Sequence, residues 1–167
     1  MTTTHLFEAE EKACWALMDE LHDPEIPVLS LLDLGIVRAI ELLSPPSQEG
    51  KIKVTITATY TGCPAMDWIA NAIRIELQTK GYRTVEIKTS IRPAWTTDWM
   101  SEAGKQKLKT YGIAAPNKNF EIPEDGVECP LCNSINTRLI SEFGSTACKA
   151  LYQCNDCKEP FDYFKCH

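Results

Sequence analysis

The chain has 167 residues, a formal net charge of −6 at pH 7 and eight cysteines. This length suffices for one compact domain plus a small metal-stabilised one, because about forty residues rarely bury enough apolar surface to fold alone. The acidic balance argues against nucleic acid as a partner, since phosphates are bound by clustered Lys and Arg, and no apolar run approaches the roughly 20 residues of a membrane span.

The first third of the chain predicts a helix followed by two strands. Apolar residues recur at helical spacing over residues 6–21, and Asp23-Pro24 ends that helix. A strand is expected to begin near Ile36, and residues 44–50 read as a hairpin loop. Residues 52–60 alternate between apolar and polar side chains, which predicts a half-buried antiparallel strand.

A second helix and a third strand complete the first predicted domain. The turn Thr61-Gly-Cys-Pro64 leads into a helix with an apolar face that Gly81 closes as a left-handed cap, and a strand follows over Val85–Ile91. The order αββαβ predicts an α+β fold, a small mixed three-stranded sheet with helices on one face. A short helix through Tyr111 extends this domain to residues 1–111, and residues 112–127 read as a linker.

Residues 128–167 carry two CxxC pairs, Cys129 with Cys132 and Cys154 with Cys157. Two residues between cysteines let a tight turn direct both sulfurs at one ion, and a second such turn completes a tetrahedron of soft ligands. We therefore expect a zinc ribbon that holds one structural zinc per chain. The alternatives are two disulfides or buried apolar cysteines.

The remaining residues of this tail suggest a less specific second site. Cys148, Cys166 and His167 are candidates for a second metal, although packing within the ribbon is the default expectation. From Glu128 onward the chain has four Lys or Arg and five Asp or Glu. A ribbon without a basic face is expected to bind protein and not nucleic acid.

Cys63 marks a second chemical site, at the predicted start of the second helix. A helix N-terminus stabilises negative charge, so a thiolate is expected there. Asp23 and Glu25 are the carboxylates expected to approach it, and the three residues form a candidate site for iron or a transient iron-sulfur cluster, shared across a homodimer if each chain offers one thiolate. The simpler alternatives are a buried cysteine that fills the turn and carboxylates that cap turns. Cys14 is expected in the core.

The motifs Asp23-Pro-Glu-Ile-Pro27, Leu34-Gly-Ile-Val37 and Thr61-Gly-Cys-Pro64 resemble the signatures of a small iron-sulfur-assembly domain. That domain is found in SufT-like proteins and in a cytosolic iron-sulfur targeting factor of eukaryotes. The resemblance covers about residues 8 to 92 and implies that Cys63 is the family's cysteine.

Three further strings resemble the D protein family of bacterial phenylacetate degradation. They are Pro93-Ala-Trp-Thr-Thr-Asp-Trp-Met100, Leu139-Ile-Ser-Glu-Phe-Gly-Ser-Thr-Ala-Cys-Lys-Ala-Leu-Tyr152 and Glu159-Pro-Phe-Asp-Tyr-Phe-Lys-Cys166. The resemblance implies an accessory or maturation role with the oxygenase or reductase components of phenylacetyl-CoA epoxidase, and it assigns the four ribbon cysteines to zinc.

Four functions are compatible with these patterns. A maturation factor without catalytic activity of its own is favoured, because the chain shows no flavin or nucleotide fingerprint, no di-iron pair and no ferredoxin cysteine run. A purely structural docking component, a thiol oxidoreductase that uses Cys63 with Cys14, and a nucleic-acid-binding ribbon are the alternatives. Trp95, Trp99 and the ribbon aromatics are expected to form the docking surface. No secretory signal is visible, so we expect a cytoplasmic protein with reduced thiols.

Overall fold

The computed structural model describes residues 3–116 and 126–165, with side chains from residue 7 onward. The chain divides into two compact units, Met1–Trp95 and Thr96–His167. None of the helices in the described ranges is long and apolar enough to cross a membrane.

The first unit has the predicted order αββαβ. Helix α1 spans Thr3–Glu20, strands β1 and β2 span Val37–Ser44 and Lys51–Ile56, helix α2 spans Ala65–Thr79, and strand β3 spans Thr84–Thr89. The strands form one sheet in the order β1-β2-β3, in which β2 pairs antiparallel with β1 and parallel with β3. The predicted mixed three-stranded sheet is confirmed.

The alternation of buried and more exposed side chains along β2 shows which face of the sheet the helices cover. Ile52, Val54 and Ile56 are almost fully buried while the residues between them are not. Helix α2 turns one apolar face inward, because its buried residues recur every four positions: Ala65, Ile69, Ile73 and Leu77. The helices therefore lie on the apolar face of the sheet, and polar side chains line the other face.

Strand β2 is shorter than predicted. The alternation over residues 52–60 continues past the last ladder residue, Ile56, but the chain leaves the sheet at Thr57. The Thr57 amide donates to the Ile36 carbonyl at 2.9 Å, and its hydroxyl donates to the Ser90 carbonyl at 2.9 Å. Both groups are thus satisfied without further strand pairing, so Tyr60 lies in the turn that follows.

Trp95 is part of the core of the first unit and not of a docking surface. Its side chain is 3% exposed, and its Nε1 donates a 2.8 Å hydrogen bond to the Leu34 carbonyl. The expectation that Trp95 is exposed for docking is therefore wrong. A buried indole with a satisfied N–H anchors the end of this unit against the loop that precedes β1.

Replacing Trp95 by phenylalanine is expected to destabilise the first unit by about 2 kcal/mol, because the Leu34 carbonyl loses its partner and the smaller ring leaves space. Urea unfolding followed by far-ultraviolet circular dichroism would measure this. Trp68→Phe is the matched control: Trp68 is 52% exposed, and its substitution should change stability by less than about 0.5 kcal/mol. Equal effects of the two substitutions would contradict the anchoring role.

The second unit is a helical segment followed by a four-stranded sheet. A 3-10 turn spans Thr97–Trp99, α3 spans Glu102–Tyr111, and strands β4 to β7 span Ile113–Ala114, Thr137–Ser141, Lys149–Cys154 and Pro160–Phe164. The strand order is β4-β7-β6-β5, antiparallel except where β4 pairs parallel with β7.

The boundaries of this unit differ from the sequence-based expectation. The segment through Tyr111 lies in the second unit and does not extend the first one, and Ile113 and Ala114 form a strand in place of a linker. Pairing with β7 and the 2.7 Å ion pair between Lys109 and Glu128 connect this segment to the ribbon. Residues 117–125 of the predicted linker lie outside the described residues.

The aromatic residues of the ribbon strands form its core. Tyr152 stacks on Phe161 at 5.9 Å between ring centroids and meets Tyr163 edge-on at 5.7 Å, and all three are buried. The expectation that they form a docking surface is therefore wrong. The apolar side chains that the ribbon exposes are aliphatic ones and one phenylalanine: Leu131, Ile135, Leu139, Ile140 and Phe143.

Candidate functional site

The four predicted ribbon ligands converge on one point. The Sγ atoms of Cys129, Cys132, Cys154 and Cys157 all lie within 4.8 Å of one another. The Sγ pairs Cys129–Cys157 and Cys132–Cys154 are 3.8 Å and 3.5 Å apart. Four sulfurs at about 2.3 Å from a tetrahedral zinc lie about 3.8 Å apart, whereas a disulfide requires about 2.05 Å. The thiols therefore form a cluster that can hold a metal ion, and the disulfide alternative is wrong.

The two halves of this site are built by the same local turn. In the first, the Cys129 amide donates to the Ser134 carbonyl at 2.9 Å; in the second, the Cys154 amide donates to the Glu159 carbonyl at 3.0 Å. Each turn places a residue with positive φ four positions after its first cysteine, Asn133 at 61° and Lys158 at 68°. The duplication seen in the sequence is thus also a duplication of backbone conformation.

Asp156 links the two turns by hydrogen bonds that spacing alone did not reveal. Its carboxylate accepts from the Ser134 hydroxyl and from the Asn136 side-chain amide, the latter at 2.8 Å. The Asn155 amide donates to the Asn136 carbonyl at 2.8 Å. These contacts hold the turns together beside the thiols, as supporting hydrogen bonds do at metal sites.

The electrostatics of the four thiols favour a bound cation. The Cys157 amide donates to the Cys154 sulfur and lowers the pKa of Cys154 to about 7. The Glu159 amide acts likewise on Cys157, but desolvation and the neighbouring thiols raise the pKa of Cys157 to about 12. Four adjacent thiolates need a positive charge among them, and Zn²⁺ supplies it with the softness that sulfur prefers.

The proposed second ribbon site is described only in part. Cys148 is buried, and its Sγ lies 2.9 Å from the Thr146 hydroxyl. Cys166 and His167 lie outside the described residues. Packing within the ribbon remains the prediction for Cys148.

Cys63 lies immediately before Pro64, which occupies the N-cap position of α2. It is partly exposed, so the expectation of a fully buried turn-filling cysteine is not met. Tyr60, which the alternation assigned to a strand, contacts its sulfur by a hydrogen bond. No sequence pattern indicated that contact, since it depends on where β2 ends.

The charge state of Cys63 differs from the one expected at a helix N-terminus. Desolvation raises the pKa of Cys63, and the nearby carboxylates of Glu25 and Asp23 raise it further. Hydrogen bonds from the Ala65 amide and the Tyr60 hydroxyl lower it, but the net shift is upward. The structure does not support a standing thiolate at this position. It does bring both predicted carboxylates into electrostatic range of the thiol, which is an arrangement that a cation would stabilise.

The loop that carries Asp23 and Glu25 has an irregular backbone that is fixed by several hydrogen bonds. Asp23 Oδ1 accepts from the amides of Glu25 and Ile26, each at 2.8 Å, so its turn-forming role is confirmed. Ser30 and Asp33, both buried, each accept a hydrogen bond from the other's amide, at 3.0 Å and 3.1 Å. The Ser30 hydroxyl also donates to Asp19 Oδ1 at 2.7 Å.

Cys63, Asp23 and Glu25 do not form a closed ligand set. In the described ranges, the four ribbon cysteines are the one group that places three or more His, Cys, Asp or Glu ligand atoms within 4.8 Å of one another. Any metal held at Cys63 would need a donor from elsewhere. Cys14 is not suited to complete the site, because it is buried with its Sγ 3.4 Å from the Tyr82 hydroxyl.

The fold and the site define a protein in two parts. Residues 11–88 match the family of iron-sulfur cluster assembly proteins, and residues 114–165 match the PaaD zinc beta ribbon domain. The chain is 48% identical over 155 residues to an Escherichia coli (strain K12) protein named as the D component of a "Putative 1,2-phenylacetyl-CoA epoxidase", covering 91% of this chain and 90% of that protein. The chain therefore belongs to the PaaD family.

Two further similarities concern the first unit. The chain is 33% identical over 93 residues to the "Fe-S protein maturation auxiliary factor" of Porphyromonas gingivalis (strain ATCC BAA-308 / W83), which covers 55% of this chain and 84% of that protein. A crystal structure of a domain of unknown function, DUF59, from Bacillus anthracis superimposes with a TM-score of 0.54 at 25% identity, covering 60% of this chain and 92% of that one. It agrees with the αββαβ architecture.

Proposed function

We propose that this chain is an accessory protein of a multicomponent phenylacetyl-CoA epoxidase that assists assembly of an iron-sulfur cluster or iron centre in one of its components. The similarity to an epoxidase component over nine tenths of the chain supports a role with that enzyme. The match of residues 11–88 to iron-sulfur cluster assembly proteins supports a role in assembling a cluster or iron centre. The chain itself is proposed to have no catalytic activity.

Cys63 is the residue proposed to carry iron or a cluster. The observation that carries this proposal is a partly exposed thiol just before α2 with the carboxylates of Asp23 and Glu25 close enough to act on it. A cation at this point would replace the thiol proton and interact favourably with both carboxylates. The incomplete ligand set suits a site that binds iron or a cluster transiently and transfers it. The recipient or a second copy of this chain would supply the missing ligands.

The ribbon is proposed to hold one structural zinc and to dock on the recipient, the oxygenase or the reductase component. Four protein ligands leave zinc no open position for catalysis. The exposed apolar side chains between Leu131 and Phe143 support a protein-binding role. No two of the described cysteines are joined by a disulfide, which suits the reducing cytoplasm where we place the protein.

Anaerobic reconstitution with iron and sulfide tests the role of Cys63. The unaltered chain should bind iron and sulfide in addition to about one zinc, whereas Cys63→Ser should keep the zinc and lose most of the iron, because the thiolate is the one soft ligand at that site. Iron, sulfide and zinc analysis with the visible absorption spectrum would measure this. Cys14→Ala controls for the loss of any thiol in the same unit and should bind as the unaltered chain does.

The second candidate is a docking component that carries no iron or cluster to the enzyme. The incomplete ligand set at Cys63 favours it. The two functions separate when the epoxidase components are produced together with either form of this chain. If the chain is a maturation factor, epoxidase components produced together with Cys63→Ser should be deficient in iron. Fully loaded components and full epoxidase activity would support docking alone.

A further inference from the structure

The first unit contains a cleft that has no part in the sites above. It lies between α1 and the residues that follow α2, and its volume is about 290 Å³. Part of its lining is apolar: Leu17 and Cys14 are buried there, and Ala13 and Ala16 are exposed beside them. The cleft therefore accommodates a small ligand with an apolar body, at the lower end of the size range of such sites.

The cleft lining includes a polar pair, Tyr82 and Glu10, joined by a long contact. Tyr82 is 2% exposed, and its hydroxyl lies 3.4 Å from Glu10 Oε2 and 3.4 Å from Cys14 Sγ. An O–H···O hydrogen bond normally spans about 2.7 to 2.8 Å, so the contact to Glu10 is long. Burial raises the pKa of Tyr82, so the hydroxyl keeps its proton.

The spacing of these two oxygens suits a cationic nitrogen. An ammonium group has three N–H donors, and charge-assisted hydrogen bonds to carboxylates are about 2.7 to 2.9 Å long. Two oxygens 3.4 Å apart can both accept from one such nitrogen placed over them. Glu20 adds a second carboxylate to the lining and Lys80 one ammonium, so the lining disfavours anions.

We propose that this cleft binds a small primary amine with an apolar body, whose ammonium group lies between the Glu10 carboxylate and the Tyr82 hydroxyl. The apolar body packs on Leu17 and Ala13. The nitrogen donates one hydrogen bond to the Glu10 carboxylate and one to the Tyr82 oxygen, while the phenol proton keeps its contact with Glu10 Oε2 and the oxygen still accepts from Cys14.

Benzylamine is the probe that tests this site on the full zinc-loaded chain. Titration followed by ¹H–¹⁵N and methyl NMR should give saturable shifts centred on Ala13, Ala16 and Leu17. Benzyl alcohol, which has the same body without the charge, should bind at least about tenfold more weakly, since it lacks the charge-assisted bond. Glu10→Gln should weaken benzylamine binding by a similar factor, and Tyr82→Phe by about threefold or more.

Two control substitutions make the test specific. Glu11→Gln removes a neighbouring charge on α1 outside the cleft lining and should weaken binding much less than Glu10→Gln does, because its charge reaches the cleft only at a distance. Lys80→Gln removes the positive charge of the lining and should tighten binding. The proposal is overturned if benzylamine gives no saturable shifts, if Glu10→Gln and Glu11→Gln have equal effects in folded protein, or if benzyl alcohol binds as well as the amine.

Discussion

Replacing Cys154 by serine is expected to abolish zinc binding and to unfold residues 126–165 while the first unit stays folded. Cys154 ends β6 and is fully buried beside Tyr152 and Phe161. A forty-residue sheet has little apolar surface of its own, and structural zinc contributes about 10 kcal/mol or more to the folding of small domains. Zinc per chain should fall from about one to near zero. Mass spectrometry of the metal and the dispersion of the amide NMR signals of residues 126–165 would measure both effects.

Cys148→Ala is the matched control for that experiment. Cys148 is also a buried ribbon cysteine, but its sulfur is not among the four that converge. This variant should retain its zinc and its folded ribbon. A chelator added to the unaltered chain should reproduce the Cys154→Ser result. If the ribbon signals survive zinc removal, the hydrogen bonds of Asp156 and the aromatic core suffice, and the stabilising role of the metal is refuted.

Substituting Gly126 by alanine is expected to destabilise the ribbon by about 2 to 5 kcal/mol. Gly126 has φ of 93°, and an added Cβ would lie 2.3 Å from the Ile135 carbonyl oxygen. The left-handed conformation costs about 1 to 2 kcal/mol for a residue with a side chain, and a clash with backbone cannot be relieved by a rotamer change. The guanidinium concentration at which the chain releases its zinc to a colorimetric chelator would report the loss.

Gly112→Ala isolates the conformational part of that effect. Gly112 has a similar φ of 89°, but an added Cβ would meet nothing within 4 Å. Its substitution should therefore cost only about 1 kcal/mol. A midpoint for Gly126→Ala no lower than that for Gly112→Ala would show that the loop around Gly126 yields easily.

The parts of this protein that the sequence predicted well are those set by short-range spacing. Each CxxC pair specifies its own turn, and only the joining of the two turns is a long-range event, so the four thiols could be named in advance. The αββαβ order was likewise readable, because the alternation in β2 and the four-residue period in α2 are local patterns.

The errors arose where a distant partner decides the outcome. Ala114 is one of only two residues in β4, which exists because β7 offers a free edge. Trp95 can be buried because the Leu34 carbonyl, 61 residues away, accepts a hydrogen bond from its Nε1–H. Tyr60 continues the apolar alternation of β2 but lies outside the strand, because the hydrogen bonds of Thr57 to the Ile36 and Ser90 carbonyls end the strand before it. The carboxylates beside Cys63 were named correctly, whereas the protonated state of its thiol depends on burial that no local pattern shows.

The hydrogen bonds of the segment from Asp23 to Gly35 have a consequence for binding entropy. This segment has no regular strand or helix apart from one isolated bridge between His22 and Ser30. Yet its amides at Asp23, Glu25, Ile26 and Leu29 all donate to fixed acceptors, so they should exchange with deuterium as slowly as those of a strand. Conformational freedom worth about 1 to 2 kcal/mol per residue is already lost here on folding. A cation that approaches Cys63 would therefore meet carboxylates whose backbone needs no further ordering.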